Sequence, residues 1–194
     1  MTDYKVILGI LAVAIGLIGY GKYIRDALRG TTKPHVFSWL AWAAIEAIVF
    51  FAQIAKGGNA GAWVTGIDVV LAVFITYLAF RNTAKQIRPA DVMAFSGAIL
   101  GIILWRLTDN PLLAVILVSI ADIFGFIPTF RKSYYRPYEE TLVEYGLAAI
   151  KFTIALFALQ SFNMTTALYP ISIIATNSLF VAMTLIRRKK LKLQ

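Results

Sequence analysis

The chain has no cysteine and only one histidine in 194 residues. Without thiols there is no disulfide, no thiolate metal centre and no cysteine nucleophile. The single histidine, His35, follows Pro34 at the mouth of an apolar run, where it reads as an interfacial residue, with a pH-sensing gate as the other reading. Charge is scarce as well. Asp, Glu, Lys and Arg make up 15% of the residues, against about a quarter in a soluble domain. Apolar residues fill the space: 59% are hydrophobic and the mean hydropathy is +0.73. Together these features point to an all-α integral membrane protein.

Runs long enough to cross about 30 Å of hydrocarbon recur along the whole length. Seven are expected, at 6–24, 36–55, 60–80, 90–107, 111–130, 141–160 and 165–186. The connections are short and leave no soluble domain. The first run lacks a small-residue cleavage site and is expected to be a retained helix, not a signal peptide.

Acidic residues are the scarcer sign, 10 against 19 basic, which gives a net charge of +9. Such a balance can mark a nucleic-acid binder, but the distribution argues for topology instead. Fifteen of the 19 basic residues follow spans one, three, five and seven, ending in the tail Arg187-Arg188-Lys189-Lys190-Leu191-Lys192. The opposite ends hold Lys5, Lys56 and Arg106. By the positive-inside rule the N-terminus is expected outside and the C-terminus in the cytoplasm of a cell membrane, a bacterial inner membrane by expectation. The tail is then placed to touch anionic lipid.

A shift of 103 residues aligns two junctions without a gap. Tyr23-Ile24-Arg25-Asp26-Ala27-Leu28-Arg29-Gly30-Thr31-Thr32-Lys33-Pro34 meets Phe126-Ile127-Pro128-Thr129-Phe130-Arg131-Lys132-Ser133-Tyr134-Tyr135-Arg136-Pro137. Ile24 falls on Ile127, Pro34 on Pro137, Arg29 on Lys132 and Lys33 on Arg136. Both segments close the first helix of a triplet and lead through a basic loop into the next. The expected organisation is a three-helix repeat at 1–82, a linker helix at 83–109 and a second three-helix repeat with the basic tail at 110–194. An odd linker lets both repeats face the same way, and such folds place their substrate at the repeat interface near the midplane.

This 3+1+3 pattern, the external N-terminus and Pro128-Thr129 ahead of a basic loop resemble the PQ-loop, or SWEET-type, transporters. The resemblance implies two parallel three-helix bundles joined by a linker helix, and alternating access. It also implies that Pro128 acts as a hinge. The first repeat has Arg25-Asp26 at the place of the family's Pro-Gln pair, so any bending is expected to be asymmetric. The family places an asparagine on the third helix of each triplet. Asn177 matches it, while the first triplet carries Asp68. A carboxylate there suits a cationic group or a proton better than a neutral hydroxyl.

Five spans carry a polar or ionisable residue near mid-membrane: Glu46, Asp68, Asp122, Lys151 and Asn177. Each costs several kcal/mol or more at that depth unless partnered or wet, so a shared chamber is expected. On span two, Ser38, Trp42, Glu46, Val49 and Gln53 form one stripe. Trp42 reads as a stacking or closing residue, or as part of the interfacial aromatic belt, to which Trp39 and Trp63 are assigned. Glu46 reads as chamber wall or as a helix lock with Lys151 or a polar neighbour. Asp122, above Pro128, reads as a proton-linked switch or as a staple to Lys151. Asn177 suits a ligand hydroxyl or amide, or serves as interhelical glue. Pro170 reads as an outer gate or a benign kink. The glycines of span one (Gly9, Gly16, Gly19, Gly21) are assigned to close packing, and Glu139, Glu140 and Glu144 to the start of a helix that favours negative charge. Three mid-span carboxylates against one ammonium are poorly tolerated in a buried site, so at least one acid is expected to be protonated in some state.

A retinal receptor is disfavoured because the buried lysine lies on span six and not on the last span. A metal channel is disfavoured by Lys151 beside the acids. An enzyme would need a nucleophile–base pair that the core lacks. The sequence therefore predicts a non-enzymatic carrier that needs no cofactor or metal. It would move a small polar solute, a sugar or an amine- or vitamin-like molecule. Its substrate site comprises Trp42, Glu46, Asp68, Lys151 and Asn177, with proton coupling or gating by Asp122, Asp68, Glu46 and Pro128. No nucleic-acid partner is expected, and assembly as a homo-oligomer is compatible with the reading. The rival is a seven-helix receptor that binds a small ligand without moving it.

Overall fold

The computed structural model describes residues 3–32, 34, 36–82, 110–138 and 140–192, together with 89, 92, 93, 96, 99, 100, 103 and 107. Six long helices run through them: α1 (Asp3–Leu28), α2 (Val36–Ala55), α3 (Trp63–Asn82), α4 (Pro111–Tyr135), α5 (Leu142–Ala158) and α6 (Met164–Lys192). A short 3-10 turn, Asn59–Ala62, leads directly into α3. Among the described residues there is no strand. The expected fourth span, 90–107, lies mostly outside them, as do Lys33, His35 and Glu139 and the side chains of Ser38, Pro128 and Lys132.

Each helix lies over one of the apolar runs, and α1 and α6 extend past theirs into the charged flanks. Among the described residues, four segments are long and apolar enough to cross a membrane: Tyr4–Leu28, Asn59–Arg81, Pro111–Tyr135 and Met164–Leu191. The 20 residues of α2 and the 17 of α5 are shorter; at 1.5 Å per residue they cover about 25–30 Å. Polarity is distributed as a lipid solvent demands. Ile7, Ile18, Ile123, Ile127, Leu179 and Ile186 are exposed, whereas Glu46, Gln53, Asp68, Asp122, Lys151 and Asn177 are buried.

The helices pack in a reciprocal pattern. Within α1–α3, the third helix packs on both the first and the second. Within α4–α6 the same holds. Across the two sets, α1 lies along α5 and α2 along α4, so the first helix of each set meets the second of the other. The α1–α5 contact is the most extensive, and glycine permits it. A Cβ on Gly16 would stand 3.0 Å from Lys151 Cδ, and one on Gly19 would overlap the Glu144 carboxylate.

At one end of the bundle α2, α3 and α6 are tied by a buried side chain. Gln53 donates to the Thr166 carbonyl at 3.0 Å and accepts from Thr65 Oγ1 at 3.0 Å. Nearby, Lys5 donates to the Leu159 carbonyl at 2.6 Å and the Ser161 N–H to the Gly57 carbonyl at 3.2 Å. At the opposite, basic end Thr141 donates to Asp26 at 3.1 Å and lies 2.8 Å from Thr32, joining the end of α1 to the start of α5.

Candidate functional site

Between these two ends lies a cavity of about 60 Å³. All six helices contribute to it. α2 presents Trp39, Trp42 and Glu46 at i, i+3 and i+7, and α5 presents Glu144, Ala148 and Lys151 at i, i+4 and i+7. α6 presents Tyr169, Ile173 and Asn177, each one turn apart. Asp68 comes from α3, Asp122 and Phe126 from α4, and Tyr20 and Tyr23 from α1. One stripe of each helix thus faces the same space, and the polar members of those stripes are the residues that lipid would reject.

Lys151 is 1% exposed. Its ammonium donates to both oxygens of Asp68, at 2.8 and 2.6 Å, and lies 4.4 Å from the centre of the Tyr20 ring. A buried charge needs this much: an opposite charge, good hydrogen-bond geometry and a π-face. The partner corrects two sequence expectations. Lys151 does not staple α4 through Asp122 or lock α2 through Glu46. It joins α5 to α3, because Asp68 reaches it with both oxygens while the other two acids lie beyond hydrogen-bonding distance.

Glu46, Asp122 and Glu144 are buried, and each has one carboxyl oxygen with no hydrogen-bond partner. Asp122 shares the cavity wall with Trp42. Glu144 is a second correction. Its place in the first turn of α5 marks it as an ordinary helix-start acid, but it is 7% exposed and faces the cavity. Its spacing from Lys151, seven residues along one face, is the signal that could have found it. Asn177 directs its amide nitrogen to the Ile173 carbonyl of its own helix at 2.8 Å, so this bond does not tie one helix to another.

Trp39 is a third correction. It belongs to no interfacial belt: it is 6% exposed, donates to the Tyr23 hydroxyl at 3.3 Å, and meets Trp42 edge-on with centroids 5.1 Å apart. The rings continue from Trp42 to Phe126 (6.1 Å), to Tyr145 (5.9 Å) and to Phe180 (4.4 Å). This aromatic chain crosses the bundle from α1 to α6, and Trp39, Trp42, Phe126 and Tyr145 of it line the cavity. Sequence reasoning missed all of it except Trp42, because aromatic residues on an apolar stripe look like ordinary core.

Among the described residues no group of three or more His, Cys, Asp or Glu is disposed to hold a metal ion. No protein-family model, curated protein or solved structure matches this chain.

Proposed function

We propose that this protein is a seven-span carrier of SWEET-like architecture that moves a small polar solute by alternating access, with proton linkage at the chamber acids. The observation that carries the reading is one shared cavity lined by side chains of all six described helices, with the buried acids, Lys151 and Asn177 among them. Glu46, Asp68, Asp122, Lys151 and Asn177, chosen from sequence for their depth alone, all border it. The reciprocal packing of α1–α3 and α4–α6 supports a pair of repeats related by an axis along the membrane normal. The helices are tied by Gln53 toward one end of the bundle and by the aromatic chain toward the other, which gives alternating access two places at which to open.

The test is solute exchange in proteoliposomes of the full chain, loaded in turn with a sugar, an amino acid and an amine. The expected outcome is saturable flux of at least one class in both directions, accelerated by the same solute on the far side. Saturable binding with no flux of any class would replace the carrier with a receptor.

A further inference from the structure

We propose that the chamber takes a small organic cation, an amine or quaternary ammonium, in exchange for protons on Glu46, Asp122 and Glu144. Only the traffic across the membrane depends on the carrier reading above; the binding preference follows from the lining of the cavity.

The first observation is a set of carboxyl oxygens without partners. One each on Glu46, Asp122 and Glu144 receives no hydrogen bond, while Lys151 gives two of its hydrogens to Asp68 and Trp39 its own to Tyr23. When ionised, such oxygens only accept. A neutral sugar would leave their charge unbalanced. A cation brings charge to these oxygens and asks for none in return.

The second observation is independent of the acids. Tyr20, Tyr23, Trp39, Trp42, Phe126 and Tyr145 line the same space. Ring faces attract a desolvated cation, and aromatic boxes are a common way to hold methylated ammonium groups. The cavity already demonstrates this with its own cation, since Lys151 rests on Tyr20 at 4.4 Å. Its volume of about 60 Å³ admits a solute of only a few heavy atoms.

The third step is charge balance. Four carboxyl groups and one ammonium face one another here, with Asp68 and Lys151 matched as a pair. The groups around the remaining three acids are that pair, from α3 and α5, with Tyr20 and Tyr23 from α1, Tyr145 from α5 and Tyr169 from α6. None of these supplies a further positive charge. A buried site does not hold three uncompensated negative charges, so each is met by a proton or by a bound cation. Entry of a monocation therefore releases a proton from a carboxyl group, and its exit takes one up.

The experiment uses the purified full-length protein and the permanently charged probe tetramethylammonium. tert-Butanol, of the same heavy-atom count, is the neutral control; glucose tests the sugar alternative and sodium chloride the ionic strength. Tetramethylammonium is expected to raise the unfolding temperature while the other three do not. Its apparent affinity is expected to weaken about tenfold or more between about pH 8 and pH 5, because protons compete for the same oxygens. In weakly buffered solution its addition should release protons, and Asp122→Asn and Glu144→Gln should each reduce the amount released. Equal stabilisation by tert-butanol, or no binding of tetramethylammonium, overturns the proposal, and so does binding without proton release. Glucose flux with no response to tetramethylammonium removes the cation and leaves the carrier standing. Tetramethylammonium binding without flux does the reverse.

Discussion

Lys151 shows how one side chain meets the cost of burial. Its ammonium is held by both oxygens of Asp68 and by the Tyr20 face, out of reach of water. Removing one member of such a pair leaves the other charged and alone. Lys151→Met is therefore expected to destabilise the protein by about 3–5 kcal/mol, and the double variant Lys151→Met with Asp68→Leu to recover most of that loss. Thermal unfolding of the two variants in detergent checks it; equal losses in both would mean that the pair contributes little. At this scale the sequence was a good guide wherever a residue was costly for its depth. Asp68 and Asp122 are the lone charges of their apolar runs and Lys151 the lone basic residue of its own, and all three border the cavity. Glu144 escaped because it follows two other acids at a helix start, where charge is cheap. The identity of Lys151's partner escaped because helical spacing orders residues within one helix and says nothing of which acid on another helix lies nearest.

Among the elements, the contact of α1 with α5 is the most exacting. Two glycines one turn apart leave space for Lys151 and Glu144, and a third, Gly21, faces nothing within 4 Å. Gly19→Ala should displace the Glu144 carboxylate from its buried place and cost about 1–3 kcal/mol, as overpacking does. Gly21→Ala should be neutral or stabilise by up to about 1 kcal/mol, since alanine is the better helix former. The ratio of folded to aggregated protein on size exclusion after graded heating separates the two. The glycine-rich run was legible as a packing face, and the helix boundaries followed the apolar runs. The aromatic chain was not legible, because stacking between Trp42, Phe126 and Tyr145 is a relation among three helices and leaves no periodic trace in any one of them.

For the whole molecule, the basic residues gathered at alternate ends call for the two termini to lie on opposite faces of the membrane. The native chain has no cysteine, so a single one introduced at Thr2 or at Gln194 can be read without background. A membrane-impermeant maleimide should label Thr2→Cys in intact cells and Gln194→Cys only after lysis; labelling of both before lysis would rule out an odd number of crossings. The ion pair described at the centre has one more effect at this scale. Membrane voltage acts only on net charge, at about 2.3 kcal/mol per elementary charge per 100 mV. Lys151 and Asp68 cancel, so the potential finds no handle on them. If every other carboxyl group crosses neutralised, by a proton one way and by a cation the other, the cycle is electrically silent. Concentration gradients alone would then set its direction.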